Sequence, residues 1–159
     1  VDLLRVFRYD TVQPHEQLTN PGSSPHTDWG TMTIVWQDTA GGLQMYCHEH
    51  KTWNDVVPKD DDGQVIRFFV HVGDFLSLAT ASSSFAWPSP RHRVLCPIRL
   101  SKGENHGERD KRVSLVYFAY PPMGVTLYEA RKALQKLSLA SQHHDLNDSF
   151  SVDDNKHKH

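Results

Sequence analysis

Followed by its alternation of apolar and polar positions, the chain divides into short β-like runs separated by turns. LLRVFRY (3–9) predicts a strand, and a polar loop containing Pro and Gly follows over 10–25. The β-branched run TMTIVW (31–36) predicts a second strand, Gly41-Gly42 a turn, and 43–47 the returning strand, so that 31–47 reads as a hairpin. Further strands are expected at 53–57, 65–72, 75–79 and 92–100, and the most apolar of all at 112–120. Between them lie an acidic turn (58–63), a Ser- and Pro-rich loop, and a charged segment (101–111) that looks like an inserted hairpin loop. About eight strands at short, turn-punctuated intervals predict a mainly β fold, a sandwich or jelly roll.

The pattern changes after Tyr120. Pro121-Pro122 and Gly124 stop the sheet, and Thr126-Leu127-Tyr128-Glu129 has the form of a capping box, which predicts a helix. Leu127, Ala130, Leu134 and Leu137 recur at helical spacing, giving one apolar face expected to pack on the outside of the sheet. Residues 143–159 are polar and aperiodic and are expected to be a disordered tail. The expected organisation is therefore a β core at 1–122, a helix at 123–142 and the tail.

Composition narrows the classes. At 159 residues the chain suits one domain, and a net charge of −2 with interspersed signs provides no basic stripe for nucleic acid. No apolar run has membrane-spanning length and no signal peptide is visible, so a cytoplasmic monomer without nucleic-acid or membrane partners is expected. Cys47 and Cys96 form no CxxC pair and are expected to be free thiols. Val1 stands directly against the first strand, as expected of a piece of a longer or processed protein.

The chemistry gathers around PHTDWGTMTIVWQD (25–38). In an extended chain residues i and i+2 share a face, so His26 and Asp28 can reach one cation, with Met32, Ile34 and Trp36 expected to continue that face as core. Two histidines and one carboxylate on one face is the arrangement of non-haem Fe(II) oxygenases, which calls for a third ligand. His92 is the candidate, because it opens a strand on which Val94 and Cys96 share its side. Further along, Arg112 and Ser114 lie on one face of the terminal strand. A buried arginine needs an anion, and its planar fork suits a carboxylate, so a small carboxylate cosubstrate is expected.

Other candidates carry less. HTD alone is more often a surface turn. Arg99 and Ser101 form a rival Arg-x-Ser pair but run into a hydrophilic loop. His48-Glu49-His50 reads as a solvated cluster, Asp60-Asp61-Asp62-Gly63 as a solvated turn, and His71 as a core histidine or one lying just behind the ligands. His143, His144, His157 and His159 belong to the tail. Trp29, Phe85, Trp87 and Tyr120 could line a pocket or simply pack, and none is assigned to substrate.

Taken in order, HTDWGTMTIVWQD, GGLQ, HVGDFLSLAT, SPRHRV and RVSLVYFAYP resemble the Fe(II)- and 2-oxoglutarate-dependent dioxygenases of the isopenicillin N synthase-like group, from about residue 3 to residue 121. The resemblance implies a double-stranded β-helix with Fe(II) on His26, Asp28 and His92. It implies that Arg112 and Ser114 bind the distal carboxylate of 2-oxoglutarate, with Tyr9 a weaker candidate for cosubstrate or substrate contact. It further implies O2-dependent oxidation of a small organic substrate, by hydroxylation or desaturation, with release of succinate and CO2. Two alternatives remain open: an oxidase on the same iron site without 2-oxoglutarate, and a non-catalytic jelly roll that only binds. The sequence departs from the group at Phe7, where asparagine is common, and at His71-Val72-Gly73-Asp74, where Asn-Ile-Gly-Asp is frequent. The spacing from His92 to Arg112 is also long, and the group's N-terminal section is missing ahead of Leu3.

Overall fold

Two four-stranded antiparallel sheets face each other in the computed structural model, which describes residues 2–58, 66–81, 86–99 and 111–137. The strands are β1 (Asp2–Asp10), β2 (Ser23–His26), β3 (Met32–Gln37), β4 (Leu43–Cys47), β5 (Thr52–Asp55), β6 (Phe69–Val72), β7 (His92–Val94) and β8 (Lys111–Ala119). One sheet runs β1-β8-β3-β6 and the other β2-β7-β4-β5, so the fold is mainly β and a jelly roll. No helix among the described residues is long and apolar enough to cross a membrane.

Period-2 alternation explains which side chains meet between the sheets. Along β8, Arg112, Ser114 and Val116 are buried while Leu115 between them is exposed. The register sets Tyr9 opposite Arg112 and Phe7 opposite Ser114 across β1 and β8, and Val35 opposite Val116 across β3 and β8. Val35, Leu43, Val94 and Val116 form the centre of the core, with Phe7, Tyr9, Met45, Phe69 and Phe118 packed around it. The inner face of the β1-β8-β3-β6 sheet thus carries the polar Thr33, Gln37, Arg112 and Ser114 among its apolar core residues, and the site is built around these polar positions.

Several expectations are corrected. First, β3 and β4 do not pair as a hairpin: they lie in opposite sheets. Asp38 keeps the end of β3 on β8, its N–H donating to Val113 O at 3.0 Å and its Oδ2 accepting from Val113 N–H at 2.6 Å, while Gly42 O already accepts from Leu95 N–H beside β7. Gly41 and Gly42, at φ 67° and 89°, carry the chain across between the sheets. Gln37 braces the crossing, its Nε2 donating to Val56 O and its Oε1 accepting from Leu43 N–H.

Second, 75–79 is not a strand but part of a helix, α1 (Asp74–Thr80), which starts from Gly73 in extended conformation. Leu76, Leu78 and Ala79 are good helix formers, and the apparent alternation of so short a run gave way to the N-terminal anchoring described below. Third, the core-facing phase of β3 is Thr33, Val35 and Gln37 rather than Met32, Ile34 and Trp36. The chain bends at 29–31, where Gly30 lies against Ala119 O so closely that a Cβ would come within 2.5 Å, and the bend resets the alternation that begins at His26. Fourth, the strand expected at 92–100 is ordered as β7 only to Val94, after which Ile98 makes an isolated parallel bridge to Val12. The loop at 10–25, in turn, contains the short strand β2.

The C-terminal helix is present at 127–137 (α2), with the expected capping box: Thr126 N–H donates to Glu129 Oε2 at 2.8 Å and Glu129 N–H to Thr126 Oγ1 at 3.2 Å. Leu127, Ala130 and Leu134 are half-buried, Leu137 is exposed, and Arg131 ties the helix to α1 through Leu78 O. The acidic turn from Lys59, the 101–110 loop and the tail lie outside the described residues.

Candidate metal and carboxylate site

His26 closes β2, His92 opens β7 directly opposite it in the register, and Asp28 follows β2 by two residues. Nε2 of His26 is 3.5 Å and Nε2 of His92 is 3.7 Å from Asp28 Oδ1, and one ligand atom from each of the three lies within 4.8 Å of the others. Asp28 and His92 are buried, while His26 is exposed at the rim. Nδ1 of His26 lies 2.7 Å from Ser24 O and Nδ1 of His92 3.2 Å from Pro90 O. Donation from Nδ1–H to those carbonyls leaves both Nε2 lone pairs turned toward the carboxylate, the second contact that orients a metal-ligating histidine. Three such atoms converging repel unless a proton or a cation sits among them; a proton on His26 serves in the metal-free protein, and a divalent metal such as Fe(II) fits the donor set by replacing it.

The electrostatics agree. Burial alone would raise the Asp28 carboxyl, but hydrogen bonds with His26 and Thr33, together with the nearby His92 and His71 rings, outweigh it and hold the pKa at about 2. His26 is raised, chiefly by its hydrogen bond to Asp28 and against its partial burial. His92 and His71 are lowered, chiefly by burial, which keeps both imidazoles neutral.

Asp28 is fixed from two directions. Thr33 Oγ1 donates to its Oδ2 at 2.6 Å from the adjoining strand. From α1, Asp74 N–H donates to Asp28 O at 2.7 Å, Gly73 N–H to Thr31 O at 3.0 Å, and Phe75 N–H to Trp29 O at 3.2 Å, while Asp74 Oδ2 accepts from Thr27 Oγ1. The otherwise unpaired N–H groups of the helix start therefore hold the loop that carries the ligand. The reading of 75–79 as a strand does not foresee these contacts; Gly-Asp ahead of Leu- and Ala-rich sequence is the signal that points to them.

A cavity of about 150 Å³ runs from His26, Asp28 and His92 to Arg112 and Ser114, and Tyr9, Phe7, Val35 and Phe118 are among its walls. Arg112 is 1% exposed. Its guanidinium donates to Gly41 O, to Ser114 Oγ at 3.0 Å and to Gln37 Oε1 at 3.0 Å, and stacks 4.8 Å from the Tyr9 ring. Among the described residues no carboxylate forms an ion pair with it. A buried cation held only by neutral acceptors fits an anionic ligand. Burial raises the Tyr9 hydroxyl, while Arg112 beside it works in the opposite direction.

The other sequence candidates fall elsewhere. Arg99 is exposed, its side chain donating to Thr11 Oγ1, Trp29 is 83% exposed, and His48, Glu49 and His50 occupy an exposed turn. His71 is buried just behind Asp28.

Comparison with known proteins agrees with this geometry. The family model of the 2OG-Fe(II) oxygenase superfamily matches residues 1–121. The chain belongs to this superfamily. Iron(II) and 2-oxoglutarate are its cofactors, and the His26, Asp28 and His92 cluster meets the requirement for the first. The chain is 34% identical over 125 residues to the proline hydroxylase buaE of Petromyces alliaceus, spanning 78% of this chain and 36% of that protein. It is 34% identical over 120 residues to the 2-oxoglutarate-dependent dioxygenase lolO2 of Epichloe uncinata, spanning 72% and 31%. A full-length Neurospora crassa protein, crystallised in complex with alpha-KG and thymine, superposes with a TM-score of 0.60 at 26% identity, spanning 78% of this chain and 34% of that one. The chain thus spans about a third of the length of the curated relatives it matches.

Proposed function

We propose that this chain is the catalytic core of an Fe(II)- and 2-oxoglutarate-dependent dioxygenase acting on a small organic substrate. In this reading His26, Asp28 and His92 hold the iron, and Arg112 and Ser114 hold the distal carboxylate of 2-oxoglutarate. The observation that carries it is one cavity with a cluster of metal-ligand atoms at one end and, at the other, a buried guanidinium that forms no ion pair with a carboxylate among the described residues.

Each residue then has a task. His26 and His92 present neutral Nε2 atoms, and Asp28 contributes the negative charge that offsets part of the metal's. Arg112 and Ser114 supply donors for the distal carboxylate, and Gln37 and Gly41 O keep the guanidinium aimed. Tyr9 covers the guanidinium face and limits the access of water. An Fe(II) ion held by these three ligands would supply the redox chemistry that couples oxidative decarboxylation of 2-oxoglutarate, to succinate and CO2, with oxidation of a substrate C–H bond. Phe7, Val35 and Phe118 give the cavity apolar walls suited to a compact organic substrate.

The test is an anaerobic titration of metal-free protein with Fe(II) and then 2-oxoglutarate. The weak visible charge-transfer band of a chelated 2-oxo acid is expected, lost in His92→Ala and greatly weakened in Arg112→Ala. Iron binding without the band would favour the oxidase reading.

A further inference from the structure

We infer that His71 is a positioning residue for the metal site, donating from Nε2–H to Asp28 Oδ2 and thereby keeping Oδ1 as the oxygen that faces His26 and His92. This rests on the assignment of His26, Asp28 and His92 as ligands. It concerns a side chain to which the proposed mechanism gives no task.

The two oxygens of Asp28 have different surroundings. Oδ1 faces the two imidazoles that line the cavity, while Oδ2 faces away from them, with Thr33 Oγ1 at 2.6 Å and His71 Nε2 at 3.4 Å. His71 is 8% exposed and does not line the cavity, so it cannot touch substrate and can act only through Asp28 or His92. Its ring centroid lies 4.8 Å from that of His92, so one imidazole buttresses two ligands.

Nε2 of His71 is buried and has no aligned hydrogen-bond partner within the described residues. A buried polar nitrogen in that condition is costly unless something satisfies it. A neutral imidazole has one proton and here two oxygens to choose from: Val72 O at 3.3 Å from Nδ1, and Asp28 Oδ2 at 3.4 Å from Nε2. With the proton on Nδ1, a bare Nε2 lone pair would face a carboxylate oxygen on the side away from the cavity, with no cation between. With the proton on Nε2, the ring donates to the stronger, charged acceptor. At 3.4 Å a small turn of the ring that aims Nε2–H at Oδ2 makes the hydrogen bond, and Thr33 and His71 then hold Oδ2 together. The carboxylate is thereby prevented from turning its second oxygen toward the metal, which would occupy a position that the 2-oxo acid needs.

The experiment combines ring NMR with metal titration of the full 159-residue chain. Long-range ¹H–¹⁵N spectra of histidine-labelled, metal-free protein assign the His71 tautomer by comparison with His71→Asn. An Nε2–H tautomer is expected, and an Nδ1–H tautomer overturns the inference. In parallel, Co(II) affinity is measured for wild type, His71→Leu, His71→Asn and His92→Ala. Loss of an outer hydrogen bond to a ligand lowers metal affinity roughly 10- to 100-fold. His71→Leu is expected to fall in that range, while His71→Asn, whose amide also donates, is expected to recover most of the loss. Wild-type affinity in His71→Leu, or equal losses in Leu and Asn variants of unchanged melting temperature, refutes a donor role. If His92→Ala itself binds Co(II) like wild type, the ligand assignment fails instead, and the NMR result still decides the tautomer.

Discussion

Thr33 Oγ1 donates a 2.6 Å hydrogen bond to Asp28 Oδ2 inside the protein, joining a residue of β3 to the carboxylate that precedes the strand. Both groups are buried, at 1% and 7% exposure. Thr33→Val preserves shape and removes the donor, leaving a buried carboxylate oxygen short of a partner at a cost of about 1–3 kcal/mol. Lower stability of the metal-free protein in urea is expected, together with weaker Fe(II) binding. Unchanged stability would mean that water replaces the hydroxyl.

The close approach of Gly73 to the ligand loop gives a second prediction. A Cβ on Gly73 would stand 2.2 Å from Gly30 O, and the obstacle is backbone rather than a mobile side chain. Gly73→Ala must therefore push α1 away from the loop and lengthen the bonds from Gly73, Asp74 and Phe75. The expected result is a loss of more than about 2 kcal/mol in stability and a fall in metal affinity, although residue 73 is no ligand. Wild-type metal binding in this variant would show that α1 does not hold Asp28 in place.

The legible parts of the sequence were those in which residue type alone constrains the chemistry. His26, Asp28, His92, Arg112 and Ser114 are brought around one cavity because β2 pairs with β7 and β8 turns its alternate residues inward; the alternation of β8 and the polar intrusions are visible in the string, whereas β2 reads as loop. What depended on the third dimension was not. Gly41-Gly42 looks the same whether it closes a hairpin or carries the chain between sheets, and the difference is made by Asp38 holding to Val113, many residues away. The phase of β3 is not legible because the alternation that starts at His26 is reset by the bend at Gly30. The run 75–79 was short enough to suit either period, and the backbone carbonyls of 29–31 that anchor it as a helix leave no mark on its own sequence.

Arg112 supplies a third prediction. Its guanidinium is buried with three neutral acceptors and the Tyr9 ring. Lysine retains the charge but not the fork, and cannot reproduce donation to Ser114, Gln37 and Gly41 while also presenting paired donors to a carboxylate. Arg112→Lys and Arg112→Met are both expected to weaken 2-oxoglutarate binding by at least about 100-fold, or roughly 3 kcal/mol, while Fe(II) affinity changes little. Calorimetric titration with each ligand separates the effects, and equal losses for metal and 2-oxoglutarate would show that Arg112 supports the whole fold rather than the carboxylate.

Metal loading should also depend on pH in two stages, because the two histidine ligands are shifted in opposite directions. His26 is raised by its hydrogen bond to Asp28, so in the metal-free protein it takes up a proton while the pH is still above the ordinary histidine value of about 6.5. Metal must displace that proton, so apparent affinity begins to fall as the pH drops through the raised value, with about one proton released per ion bound. His92 is lowered by burial and stays neutral until the pH is below the ordinary value, so it adds a second proton only in more acid solution. The sign is the same at both histidines: acid opposes loading, and base restores it. Asp28, held at about 2, stays ionised throughout and adds no slope. Titrating Co(II) from about pH 8 to about pH 5 in buffers of different ionisation enthalpy gives the proton count directly. A count rising from its lowest value at the alkaline end, first toward one as His26 takes up its proton and then toward two in more acid solution, is expected, whereas a count of zero across the range would show that neither imidazole binds the ion.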